Sequence, residues 1–190
     1  SYFSPDLIKT RGLKVVTMLT IADTVTYQAT DSVLEALLLE NTLIKKHRPV
    51  YNSKEKDNRS YVCVVITKEE FPRVLLVRVR DFEKKFQKKQ VSAVYGPFAS
   101  GTQLRSALKI IRKMFPFRDV CVVNQGKPCF NAQIKLCPGV CTGAISSTEY
   151  KKKNITNIKR FFDGKKEDIK RSLEKEMKEY AKKETFEKAA

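Results

Sequence analysis

Residues 35–52 read Glu-Ala-Leu-Leu-Leu-Glu-Asn-Thr-Leu-Ile-Lys-Lys-His-Arg-Pro-Val-Tyr-Asn. Ser32 followed by Glu35 is a capping box ahead of an apolar run, so a helix is expected to begin here and Pro49 to end it. At ~100° per residue, Val33, Ala36, Leu37, Leu43 and Ile44 share one face, and Glu40 falls in its middle. Glu35, Thr42 and Lys46 lie on the opposite side, where charge belongs. Burying a lone carboxylate costs several kcal/mol unless a cation, a metal or donors meet it. Glu40 is therefore a candidate metal ligand or half of a buried ion pair with Lys9, Arg11 or Lys14. Spacing alone favours the ion pair.

Working outward, Ser4-Pro5 suits a helix start, and residues 5–21 carry Leu7, Val15, Val16, Leu19 and Ile21 at mixed helical spacing, weakened by Gly12. Thr24 to Thr30 alternates and is β-branched, which predicts a strand. Residues 52–58 form a polar linker. Tyr61–Thr67 and Arg73–Val79 are strong strands joined by Lys-Glu-Glu-Phe-Pro, which predicts an antiparallel pair. Residues 81–91 are read as a lysine-rich loop and Val94–Phe98 as a short strand. Ser100–Met114 is the best amphipathic helix, with Leu104, Ala107, Leu108 and Ile111 on its apolar face. Arg105, Lys109, Arg112 and Lys113 form a basic stripe that suits tracking phosphates or, with equal weight, an ordinary solvated face. Thr148–Phe162 and Lys166–Lys183 read as two helices separated by Asp163-Gly164.

The chain has 190 residues, enough for one good core or two small ones. Its 38 Lys and Arg against 21 Asp and Glu give a formal charge of +17, which favours a polyanionic partner, nucleic acid before membrane. No stretch is apolar enough to span or anchor in a membrane, and no export signal is read at the N-terminus. With an odd count of five cysteines, this predicts reduced thiols and a cytoplasmic location. A single histidine excludes chemistry that needs two or more from this chain. That residue, His47, lies among Lys45, Lys46 and Arg48 at a helix C-terminus, a setting for phosphate contact or dipole complementarity rather than catalysis. Cys121, Cys129, Cys137 and Cys141 are spaced C-x7-C-x7-C-x3-C among Gly126, Pro128, Pro138 and Gly139, and could converge on one metal centre. The spacing lacks the paired knuckles of zinc ribbons, and four free thiols remain the alternative. Cys63, in an apolar strand, reads as a core thiol.

The run from Glu35 to Asn52 resembles the C-terminal half of the GIY-YIG nuclease domain in the UvrC family of the excinuclease ABC system. Tyr95-Gly96-Pro97-Phe98 and Phe115-Pro116-Phe117-Arg118 match the Phe-Gly-Pro-Tyr and Phe-Pro-x-Arg segments of that family in order and spacing. Lys127-Pro128-Cys129 and Leu136-Cys137-Pro138-Gly139-Val140-Cys141-Thr142-Gly143 resemble its cysteine segment, and Leu173-Glu174-x-x-Met177 with Phe186-Glu187-Lys188-Ala189-Ala190 resembles its UVR motif. The resemblance implies an α+β chain in three parts. These are a remnant of a GIY-YIG α/β nuclease domain (1–54), a small antiparallel β plus helix region with a cysteine cluster (55–145), and a C-terminal helical hairpin (146–190).

The implied function is DNA incision in UvrABC nucleotide excision repair, by metal-dependent phosphodiester hydrolysis on a UvrB–DNA complex. The resemblance makes Glu40 the Mg²⁺ or Mn²⁺ ligand, reversing the preference from spacing, with Asn52 and Tyr2 as further active-site residues. It implies damaged duplex DNA as partner, for which the basic residues singled out by position, Lys45, Lys46, Arg48, Arg105, Lys109, Arg112 and Lys113, are the candidate contacts. It implies a [4Fe–4S] cluster on the four cysteines, with Zn²⁺ as runner-up, and UvrB docked on Ile169, Leu173, Met177, Tyr180 and Phe186. Gly-Ile-Tyr and Tyr-Ile-Gly occur nowhere in the chain, so alone it is expected to be catalytically incomplete. The alternative is a non-catalytic DNA-binding or UvrB-docking module built on a structural metal or Fe–S centre.

Overall fold

Tyr61–Thr67 is apolar or β-branched throughout, without polar alternation, which is the pattern of a strand covered on both faces. In the computed structural model, which describes residues 12–31, 33–51 and 61–182, every residue of β1 (Val62–Thr67) is buried. β2 (Val74–Arg78) and β3 (Val91–Phe98) flank it, both antiparallel, giving the order β2-β1-β3. The expected pairing of the first two strands holds, with Val64 opposite Leu76. Val62, Val64 and Ile66 join the main core, and Cys63 and Val65 join Val77 in a smaller cluster on the other face.

That second face explains a correction. Residues 81–91 are not a loop: α3 (Val79–Lys85) and a 3-10 turn at Lys88–Gln90 occupy them. Phe82 and Phe86 stand one helical turn apart with ring centroids 6.0 Å apart, and both pack on the smaller cluster. Their spacing was the available signal, masked by the lysines around them. β3 is also longer than expected, beginning at Val91. At Gly96, φ is 124°, and an added Cβ would lie 3.1 Å from the Val62 carbonyl oxygen and 3.2 Å from the Cys63 Cα. Only glycine fits there, where the β1–β3 register shifts between Val62 and Val64.

α4 (Gly101–Met114) follows, capped by the Ser100 side chain, which accepts from the Gln103 N–H at 3.3 Å. It lays Leu104, Ala107, Leu108 and Ile111 on the sheet as the periodicity predicts. After the cysteine segment, α5 (Phe130–Gln133) is a single turn. α6 (Ser147–Tyr150), a π-helical turn (Lys151–Ile155) and α7 (Thr156–Phe162) run on from one another, and α8 (Lys166–Lys182) folds back against α7. The expected two-helix arrangement is thus present. Tyr95 of β3 stacks on Phe162 at 4.8 Å, and Ile169 of α8 belongs to the same core.

Two expectations near the N-terminus change. Residues 24–30 are irregular rather than a strand and pair with neither edge of the sheet. α1 (Leu13–Ile21) contributes no buried residue. α2 (Val33–His47) does form, but packs on β3 and α4 through Leu37 and Leu38, with Asn41 donating its side-chain N–H to the Pro97 carbonyl. That face is turned roughly a quarter-turn from the predicted one, at ~100° per residue. Glu40 consequently sits at its flank and is exposed, not buried in an apolar stripe.

Candidate metal centre

The cysteine segment is held at its entrance by two arginines. Arg118 is 9% exposed, and its guanidinium donates to the Cys121 carbonyl (2.8 Å), the Phe71 carbonyl (2.8 Å) and Glu69 (3.0 Å). Its backbone N–H donates to the Tyr150 hydroxyl at 2.9 Å, and that hydroxyl donates to the Pro72 carbonyl at 2.8 Å. One side chain thus ties the β1–β2 turn to the first cysteine. Arg112 does the same from α4. It donates to Asp119 (2.7 Å) and to the carbonyls of Leu136 (2.9 Å) and Phe117 (2.8 Å), with its guanidinium 4.5 Å from the Phe117 ring centre. Asp119 accepts in turn from the Asn131 amide at 3.2 Å, closing the loop across its width.

Within this frame the Sγ atoms of Cys121, Cys129 and Cys141 lie within 4.8 Å of one another. Cys137 is buried and raises the Cys121 thiol, but its sulfur is not one of that set of three. Cys141 is fully buried, and its sulfur accepts the Cys129 backbone N–H at 3.2 Å. Gly139, at φ 85°, makes the tight turn between the last two cysteines, and a Cβ there would meet the Ala144 Cβ at 2.8 Å. Burial pushes the Cys121 thiol up to about 12, reinforced by its neighbours Cys137 and Cys129. Thiols so placed resist ionising together unless a cation lies among them. A metal ion supplies that charge, and four sulfurs are a donor set that suits zinc or an iron–sulfur cluster. Cys121, Cys129 and Cys141 therefore fit a metal centre, three of the four cysteines that the spacing singles out.

The carboxylates of the frame carry their own signature. Burial alone would raise Asp119, but the Arg112 hydrogen bond, the Val120 N–H and the Arg112 charge outweigh it and hold Asp119 below its usual range. Glu69 is likewise raised by burial and lowered further by Arg73, Thr67 and Arg118. A depressed folded pKa contributes stability above the unfolded value, about 4 for these groups, which is lost as pH falls through the folded value. Asp119→Asn is therefore expected to flatten the acid limb of a stability profile taken by urea titration between about pH 5 and pH 2. An unchanged acid limb would show that the Arg112–Asp119 pair does not form.

The other predicted site residues are scattered. Lys45, Lys46 and Arg48 are exposed at the C-terminal end of α2, one to two turns beyond Glu40, and Arg48 itself adopts φ 42°. Arg105, Lys109 and Lys113 are exposed on α4, whereas the Arg112 guanidinium is engaged by the frame and is not part of an open stripe. Ile169 is buried, Leu173 and Met177 are 44% and 46% exposed, and Tyr180 lies on α8. Tyr2, Asn52 and Phe186 lie outside the described residues. Periodicity had no means of finding Arg118 or Asp119, because each works through partners distant in sequence. Arg118 closed the Phe115-Pro116-Phe117-Arg118 segment of the family resemblance, but that match gave it no role.

The sheet, its covering helix and the cysteine loop all lie within residues 61–160. Residues 61–160 match the family described as UvrC/Cho excinuclease, middle domain, and residues 1–53 match the UvrC-like GIY-YIG domain. The chain belongs to the UvrC family. It is 38% identical to UvrABC system protein C of Acetivibrio thermocellus, over 86% of this chain and 26% of that protein. It is 39% identical to that of Clostridium kluyveri (96% and 29%) and 37% identical to that of Treponema denticola (100% and 28%). The chain thus spans between a quarter and a third of the relatives' length. No solved structure matches it.

Proposed function

We propose that the chain is part of the incision subunit of nucleotide excision repair, hydrolysing DNA phosphodiesters with Mg²⁺ or Mn²⁺ on a UvrB–DNA complex. The observation that carries this reading is the succession of two UvrC matches, nuclease-domain and middle-domain, along one chain. The placement of Glu40 supports it: an exposed carboxylate on a formed helix is open to a hydrated cation, which keeps several waters and needs few protein ligands. Such an ion supplies Lewis-acid stabilisation of the scissile phosphate. Glu40 holds it, Asn52 and Tyr2 complete the site, and Lys45, Lys46 and Arg48 carry the adjoining backbone. Arg105, Lys109 and Lys113 extend that contact along α4.

The middle region carries a [4Fe–4S] cluster on Cys121, Cys129, Cys137 and Cys141. Zinc is the second reading, favoured by one observation. Sulfurs around a tetrahedral zinc stand about 3.8 Å apart, from Zn–S bonds of ~2.3 Å. The three sulfurs within 4.8 Å approach that spacing, and a four-iron cluster is a larger body. The half-exposed Leu173 and Met177 on α8 make the apolar stripe on which UvrB docks. Among the described residues no helix is long and apolar enough to cross a membrane, and the reading places the protein in the cytoplasm.

Incision is the test. The chain, produced as one polypeptide with an upstream segment carrying the Gly-Ile-Tyr and Tyr-Ile-Gly motifs, is expected to nick a damaged duplex loaded with UvrB when Mg²⁺ is present. Glu40→Gln is expected to bring nicking to background while leaving DNA binding intact. Salt-sensitive binding without any nick would instead favour the non-catalytic module.

A further inference from the structure

The cysteine loop presents an unusual surface. Val120 and Val122, on either side of Cys121, are 80% and 63% exposed, and Phe130, next to Cys129, is 72% exposed. Ile134, one turn further along, is 46% exposed, and its N–H donates to the Phe130 carbonyl at 3.2 Å. The Asp119–Asn131 hydrogen bond and the approach of Cys121 to Cys129 bring these two strips together. Soluble domains seldom leave four large apolar side chains together in solvent without a use for them. The inward places on this loop are taken by Cys121, Cys137, Val140 and Cys141, and these four side chains are left outside.

The charge around the patch narrows what covers it. From Val120 to Thr148 the chain has no Asp or Glu, and its two charged residues, Lys127 and Lys135, are exposed and pair with no carboxylate among the described residues. Apolar and aromatic surface flanked by unpaired cations is the chemistry that meets a nucleobase and its phosphates. The π-face of a base stacks on an aromatic ring, and lysines take the backbone on either side. A protein segment with acidic and apolar residues would meet the same lysines and valines, and the test below separates it from DNA.

We propose that the cysteine-held loop is a nucleic-acid contact in which Phe130 stacks on a base exposed by opening of the duplex, and Lys127 and Lys135 hold the flanking phosphates. The metal centre then has a mechanical role, presenting the ring on a rigid tip. The proposal takes DNA as partner from the function proposed above. It concerns binding alone, so it can fail while incision stands, and can hold where incision fails.

The test uses the full chain with its metal, two labelled duplexes (one fully paired, one with a short unpaired bubble) and fluorescence anisotropy across a range of salt. Phe130→Ala is expected to weaken bubble binding on the order of tenfold and leave the paired duplex unchanged. Phe130→Tyr, which keeps a ring, should restore it. The double variant Lys127→Gln, Lys135→Gln should lower the slope of log affinity against log salt by roughly 1.4 on the unpaired substrate. A fluorescent adenine analogue in the bubble should be quenched by the wild type and not by Phe130→Ala. Equal bubble affinity for Phe130→Ala and wild type would overturn the proposal, as would equal weakening on both duplexes at unchanged metal content. Loss of a protein partner with DNA binding intact would assign the patch to that partner instead.

Discussion

Replacing Arg118 with methionine is expected to lower the unfolding free energy by about 3 kcal/mol, a large share of the 5–15 kcal/mol typical of a domain. The side chain is of similar length and the cavity small, so packing is not the cause. The loss arises because the carbonyls of Phe71 and Cys121 forfeit their donor in a buried setting, at about 1–3 kcal/mol for each group left unsatisfied. Glu69 contributes less, since a third of its side chain is in solvent and Arg73 still binds it at 2.7 Å. A urea midpoint lower by roughly 1–2 M would register the effect. Arg118→Lys should recover only part of it, because an ammonium cannot reach three oxygens in a fixed fork. A midpoint unchanged in the methionine variant would mean that the network does not hold the cysteine loop to the sheet.

The second large effect is expected from Cys141→Ser. This residue is fully buried, its sulfur stands with those of Cys121 and Cys129, and it accepts the Cys129 N–H. Structural zinc sites bind with about 10–16 kcal/mol at neutral pH, and loss of even ~3 kcal/mol is more than a hundredfold in affinity. The variant should therefore be purified without metal. Its loop should be cut by trypsin after Lys135 much faster than the wild type, while the β1 and α4 core stays protected. The core buries Val64, Ile66, Leu104 and Ile111 independently of the cysteines, which is why the damage should stay local. A chelator acting on the wild type should reproduce the same cleavage pattern.

How far residues alone revealed these features depended on the range over which each is determined. The β1–β2 pair and α4 were legible because apolar spacing and the Ser100 cap are local signals, and the core merely ratified them. The cysteine spacing pointed to a cluster, and the structure brings three of the four sulfurs, those of Cys121, Cys129 and Cys141, within 4.8 Å of one another. The strand expected at residues 24–30 failed because β-branched alternation reports a preference for sheet, while a strand exists only against a neighbour. Glu40 was placed on the wrong face because α2 is apolar nearly all round. Its packing side was chosen by Leu37, Leu38 and Asn41 meeting β3 and α4, a tertiary fact. The lysines of 81–91 concealed a helix whose two phenylalanines cover the reverse of the sheet. Arg112 looked like one member of a solvated stripe, yet its partners Asp119, Phe117 and Leu136 come from the loop beyond the helix.

One measurement bears most directly on the claim that four cysteines build a single centre which holds this loop. It is the iron, zinc and sulfide content of the chain purified without oxygen, compared with Cys141→Ser. The account predicts one centre per chain, with about four irons and matching sulfide or about one zinc, and its loss in the variant. A folded wild-type chain with no stoichiometric metal, or a variant that keeps a full complement, would contradict it.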